Sequence, residues 1–153
     1  GLATCCGKVF CAPFHIPTIL VIDAATLNIR LIETGTEGNF EWLGATSYGS
    51  KVFFSPCNSS KVMVLDANTD EIHFIEIGVE GGDRFAGITA FGSKLYCCPR
   101  NASSVLVIDA STESTHYIAV DYIGSLKWEG AAVCQGRLYF CPSHATAILV
   151  LDL

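Results

Sequence analysis

Four polar side chains stand at one fixed spacing: His15, Asn58, Asn101 and His144, each 43 residues from the next and two positions after a proline. A second series reads Glu41, Arg84 and Lys127, followed at once by the aromatics Trp42, Phe85 and Trp128. Imidazoles, amides, opposite charges and flat aromatic faces around a cavity are the ordinary makings of a small-molecule or glycan site. The same columns also suit structural work. An amide in a turn braces backbone, and an aromatic residue repeated in every unit can seal the seam between units. Function tends to break such symmetry, which directs attention to Glu41 against Arg84 and to histidine against asparagine.

Stronger chemistry has little support. A metal site needs three or four convergent ligands, and no carboxylate or thiolate joins His15 and His144 in their column. No metal or other cofactor is expected. No GxSxG elbow occurs, so no residue is assigned a catalytic role. His73 and His116 read as solvated outer histidines. Thr46, Ser47 and Thr89 read as hydroxyls that hold water.

These residues need a scaffold, and the spacing supplies it. The chain of 153 residues matches itself without a gap at an offset of 43. Pro13, Pro56, Pro99 and Pro142 coincide, as do Asp23, Asp66, Asp109 and Asp152. Gly1, Gly44, Gly87 and Gly130 coincide, and so do Lys8, Lys51, Lys94 and Arg137. The units are residues 1–43, 44–86, 87–129 and a partial 130–153, within one domain. Each full unit reads as four strands, a to d. Strand a follows the column glycine. A turn such as Gly49-Ser50 leads to strand b, which a proline ends. Strand c (Val62 to Leu65 and its copies) is apolar on both faces and must be covered on both sides. An Asx-type turn follows, with Asp66 and Thr69 closing it. Strand d is more polar, as an outer strand should be. A four-stranded antiparallel unit repeated every ~40–45 residues is the pattern of a β-propeller.

The segment LYCCPRNASSVLVIDAST within the third unit resembles the YVTN-type propeller repeat. That repeat has a Tyr-containing strand, a polar Asn/Ser loop and a Val-Ile-Asp-Thr-Ala-Thr ending. Here a proline column stands where that family has Thr-Asn. The resemblance implies blades around an axis, with the b–c and d–a loops on one face at the mouth of a channel. On that geometry Trp42, Phe85, Trp128, His15, Asn58, Asn101, His144, Glu41 and Arg84 gather on a single ligand face. His15 and His144 become neighbours if the fourth blade abuts the first.

The expected fold is therefore all-β: a propeller of four four-stranded antiparallel blades, the last lacking its outer strand. The alternative is part of a larger ring of six to eight blades. Function points first to a non-enzymatic binding scaffold for a small molecule, glycan or protein at the loop face. A hydrolase or lyase using polar groups at the channel mouth is second, and an incomplete fragment of a larger propeller is third. The apolar edge from Ile148 to Leu153 invites a second chain, giving a homo-oligomer.

Composition narrows the setting. The net charge is −6 with nine scattered Lys and Arg, which argues against nucleic acid and anionic membrane surfaces. The apolar runs are strand-sized, and Gly1 to Cys11 lacks the layout of a signal peptide. Eight cysteines without a CxxC spacing read as free, buried thiols. Free thiols favour a reducing compartment such as the cytoplasm. Asn58-Ser59-Ser60 and Asn101-Ala102-Ser103 match the glycosylation pattern, which bears only on a secreted protein.

Overall fold

Alternating apolar residues, tight turns and proline stops give strands along the chain, and a computed structural model contains no helix among the described residues. It describes residues 1–38, 40–79 and 82–153. The Gly-rich loop expected from Gly78 to Phe85 therefore falls partly outside the described residues. The first sheet holds β1 (Leu2–Cys5), β2 (Lys8–Cys11), β3 (Thr18–Asp23) and β4 (Ile29–Glu33). The second holds β5 (Trp42–Tyr48), β6 (Lys51–Pro56), β7 (Lys61–Asp66) and β8 (Ile72–Glu76). The third holds β9 (Phe85–Phe91), β10 (Lys94–Pro99), β11 (Ser104–Asp109) and β12 (Thr115–Ala119). The last has three strands: β13 (Trp128–Cys134), β14 (Arg137–Pro142) and β15 (Leu149–Asp152). Strands within each sheet are antiparallel and in sequence order. The fold is a β-propeller of four blades, the last without its outer strand.

Strand a begins earlier in the second, third and fourth blades than the glycine column suggests. It starts on the aromatic, and a register shift follows between Trp42 and Gly44 and between Trp128 and Gly130. The extra residue lets the strand bend while the ladder resumes. The repeated turns work as their side chains dictate. Asp23 Oδ1 accepts from the Ala25 and Thr26 amides at 3.0 and 2.8 Å, and Asp66 Oδ1 accepts from the Asn68 amide at 2.8 Å.

Three cores lie between adjacent blades. Phe10, Ile19 and Val21 of the first blade meet Val52, Phe54, Met63 and Leu65 of the second. Phe53, Val62 and Val64 on the opposite face of the second blade meet Leu95, Cys97, Leu106 and Ile108 of the third. Tyr96, Val105 and Val107 then meet Leu138 and Phe140 of the fourth. Because β7 and β11 each feed two cores, both are apolar on both faces, and Val62 to Leu65 are wholly buried. The inner strands pack in the order β1, β5, β9, β13.

Glycine is needed where these inner strands touch. A methyl on Gly44 would stand 2.6 Å from the Ala86 carbonyl oxygen and 2.8 Å from Gly87 Cα. A methyl on Gly87 would stand 2.7 Å from the Glu129 oxygen. At Gly130 it would meet nothing within 4 Å. The four blades thus form an arc rather than a closed ring, and among the described residues no core joins the fourth blade to the first.

Side chains also bind the blades at the seams. Ser47 and Thr89 donate across blades to the carbonyls of Thr4 and Ala131, each at 2.9 Å. His73 is not merely solvated: its Nε2 lies 2.8 Å from Glu113 of the next blade, repeating the Arg30–Asp70 pair of the blade before.

Candidate functional site

The loop face is built by main-chain bonds that repeat from blade to blade. The Glu41 carbonyl accepts from the Cys57 amide at 2.7 Å, the Arg84 carbonyl from Arg100 at 2.8 Å, and the Lys127 carbonyl from Ser143 at 2.8 Å. Each d–a loop therefore caps the b–c loop of its own blade. The asparagine column ties one blade to the next. Asn58 Oδ1 accepts from the Asp83 amide, and Asn101 Oδ1 from the Leu126 amide, each at 2.6 Å. Asp83 and Leu126 have positive φ, 54° and 50°, so their amides turn away from ordinary ladder partners. An amide oxygen supplies the missing acceptor.

Histidine at the ends of the column behaves differently. His15 packs edge-on against Phe14 and Phe40, with ring centroids 4.8 and 4.6 Å away. His144 Nδ1 lies 3.3 Å from Ser143 Oγ on the fourth blade. With the arc open, the two histidines are not brought together.

The aromatic column sits in the seams. Trp42, Phe85 and Trp128 are each 1% exposed. Trp42 Nε1 donates to the Lys61 carbonyl at 3.0 Å, and Trp128 Nε1 to the Ala147 carbonyl at 2.9 Å. Lys127 is buried as well, with Nζ donating to the Ala102 carbonyl at 2.8 Å and standing 5.8 Å from the Trp128 ring. Burial lowers its pKa.

Two hollows share Asn58 on this face. One, of about 380 Å³, is bordered by Thr36, Glu41, Trp42, Ser59, Lys61 and Phe74. Phe74 stacks on Trp42 with centroids 6.0 Å apart, and Thr36 Oγ1 donates to Glu41 Oε2 at 2.6 Å. The other, of about 290 Å³, is bordered by Phe14, Phe40, Cys57, Asp83 and Arg100. There Cys57 Sγ donates to Asp83 Oδ1 at 3.3 Å. Arg100 lies 3.3 Å from Asp83 and 3.6 Å from Glu129, while its buried Nε has no hydrogen-bond partner among the described residues. Burial, then the Asp83 carboxylate, pushes the Cys57 thiol up to about 12, so it carries no thiolate at neutral pH.

Of the nine residues the sequence singles out, Glu41, Trp42 and Asn58 border one hollow. Asn101 reaches the same neighbourhood through Nδ2, which donates to Asp83 at 3.4 Å. Phe85 and Trp128 face the cores, and His15 and His144 lie apart. Cys57, Asp83 and Arg100 were missed. The signal for Cys57 and Arg100 lay in the column directly after the proline: Phe14, Cys57, Arg100 and Ser143 differ in every repeat. That is the asymmetry expected of function, one position before the column chosen. Among the described residues no group of three or more His, Cys, Asp or Glu is arranged to hold a metal.

No protein-family model and no curated protein matches the chain. Solved structures do. Streptogramin B lyase aligns over all of this chain and 54% of its own, with a TM-score of 0.79 and 14% identity. A chain of a nidogen–laminin complex aligns over all of this chain and 59% of its own, with a TM-score of 0.72 and 13% identity. The computationally designed Ika4 protein aligns over 99% of this chain and 89% of its own, with a TM-score of 0.70 and 14% identity. At such identities the likeness is one of fold, and the chain spans little more than half the length of the first two.

Proposed function

We propose that the chain is a non-enzymatic binding scaffold, with YVTN-like repeats, that takes a small polar ligand such as a glycan. The ligand lies in the hollow between Glu41, Asn58, Ser59, Lys61 and the edges of Trp42 and Phe74. The observation that carries this reading is the lining itself: a carboxylate, an ammonium, an amide and a hydroxyl beside apolar ring edges, in a space of about 380 Å³. Such a mixture holds a polyhydroxylated molecule by hydrogen bonds at its rim and by contact at its apolar face. Trp42 is one of only two tryptophans, so its fluorescence reports on the site. In a Trp128→Phe background, titration with a panel of neutral and acidic mono- and disaccharides should change Trp42 emission for at least one sugar. Lys61→Ala should weaken that response. No response to any member of the panel, or a response that Lys61→Ala leaves intact, would remove the hollow as the site.

A second reading rests on the other hollow. Asp83, Arg100 and Glu129 place unlike charges close together, the cluster expected of an enzyme, and one of the similar folds belongs to a lyase. The pairing of these charges with one another, and the protonated Cys57 thiol beside them, favour a structural tie over a reactive centre. Retained binding with lost turnover of a substrate in Arg100→Ala would reverse that preference.

A further inference from the structure

The column Lys8, Lys51, Lys94 and Arg137 puts one cation at the start of the second strand of every blade. Three of the four hold a carboxylate. Lys51 Nζ lies 2.6 Å from Glu113 Oε1, Lys94 Nζ 2.6 Å from Asp109 Oδ2, and Arg137 Nε 2.7 Å from Asp152 Oδ1. Lys8 holds no carboxylate among the described residues. Its Nζ donates instead to the Ala67 carbonyl of the second blade at 2.9 Å. An ammonium carries three N–H donors, which leaves Lys8 with capacity for a further acceptor.

The cause is side-chain length at two places in the repeat. Where the second blade meets the third, Glu113 spans two bases, with Oε1 on Lys51 and Oε2 2.8 Å from His73 Nε2. One repeat earlier the same places hold Asp70, Lys8 and Arg30. Aspartate is a methylene shorter than glutamate, and arginine reaches further than histidine. Asp70 therefore gives both oxygens to the guanidinium, 2.7 Å from Nη1 and 2.8 Å from Nη2. Such a bidentate pair leaves neither oxygen for Lys8. Asp23 stands opposite Lys8 in the ladder, but its Oδ1 accepts from the Ala25 amide and from the amide and hydroxyl of Thr26. The seat that Glu113 fills in one seam is thus unfilled in the seam before it.

We propose that the seam between the first and second blades binds a small organic acid, as its carboxylate, between Lys8 and Arg30. The ligand takes the place that the Glu113 side chain takes one seam later. A hollow of about 290 Å³ lies there, bordered by Lys8, Val21, Thr26, Asn28, Ile29 and Arg30. That volume is at the small end for ligand pockets and suits a short acid. Lys8 pairs with Asp23 and Arg30 with Val21 across the ladder, so alternation puts both bases on the face turned to the second blade. A guanidinium has five N–H groups, more than Asp70 occupies. With the Lys8 ammonium it offers charge-assisted hydrogen bonds to an incoming carboxylate. Val21 and Ile29 supply apolar contact for a short alkyl chain. Every group named here belongs to the first two blades.

This site is independent of the glycan reading, since the two hollows share no residue. An amide NMR titration of the chain at constant ionic strength tests it, with acetate, butyrate and succinate as probes and butyramide as the neutral counterpart of butyrate. At least one of the acids should move the Thr26, Asn28 and Ile29 amide signals saturably, and butyramide should not. Lys8→Met, which keeps the apolar stem, should weaken binding about tenfold through loss of a charge-assisted hydrogen bond. Asp70→Glu should supply the missing carboxylate from within, so that the acids no longer bind while the melting temperature holds or rises. No saturable shift with any of the three acids, equal shifts with butyramide, or binding that either variant leaves intact would each overturn the proposal.

Discussion

Single atoms decide the outcome at the inner seam. A methyl at Gly87 collides with main chain, which cannot rotate aside as a side chain can. Gly87→Ala should cost about 1–3 kcal/mol by overpacking, read as a lower urea midpoint, whereas Gly130→Ala should leave the midpoint unchanged. Equal effects at the two positions would refute the seam as the reason for the glycine column. The thiols are sorted by place in the same way. All eight are free: Cys5, Cys57, Cys97 and Cys98 are buried, while Cys6, Cys134 and Cys141 are exposed, against the expectation of buried thiols throughout. Exposure arises at two-residue turns and on the outward face of the fourth blade, features a strand pattern does not register. Burial pushes the Cys97 thiol up to about 12. Iodoacetamide at pH 8 should modify the three exposed cysteines within minutes and reach the four buried ones only in denaturant.

Elements show how much the sequence disclosed. The 43-residue period was legible because proline, aspartate and glycine each do one job per blade, and repetition prints them in columns. Strand c was legible because a strand between two cores has no polar face. Val64 is wholly buried within it, so Val64→Asp should leave no cooperative thermal transition by calorimetry. A sharp transition in that variant would mean that one side of β7 is wet. Strand starts were displaced by three residues in three blades because the bulge at Trp42 and Trp128 extends strand a beyond its glycine. The candidate site was read least well. Asn58 finds its partner at Asp83, 25 residues on and in the neighbouring blade. A spacing argument groups residues of equal rank in the repeat and is blind to such diagonal partners. Closure was also hidden, because it depends on angles accumulated across seams and not on any one residue.

At the scale of the whole molecule, charge fixes how the arc responds to acid. The Thr26 amide and hydroxyl on Asp23, the Asn68 amide and Ser50 hydroxyl on Asp66, and the Lys94 ammonium with the Ser111 amide on Asp109 hold these carboxyls below their ordinary range. Burial pushes Glu113 up, but the bonds from Lys51 and His73 outweigh it and leave it lowered too. A carboxyl with a depressed pKa in the folded state adds stability that is complete above its unfolded value, near 4, and is lost as pH falls through the folded value. The urea midpoint should therefore be flat from pH 7 to about 5 and fall below 4. Glu113→Gln should flatten part of that fall, and an unchanged acid limb in the variant would discharge Glu113 from the role.

The double covering of β7 and β11 has a consequence for motion. Each blade is fastened only to its neighbours, so opening is a matter of position along the arc. The central strands β6, β7, β10 and β11 are buried along nearly their full length, whereas β14 and β15 alternate between buried and exposed. In a repeat array, fluctuations begin at the ends and travel inward. Amide hydrogen exchange should then form a gradient: slowest in the second and third blades, fastest in the fourth.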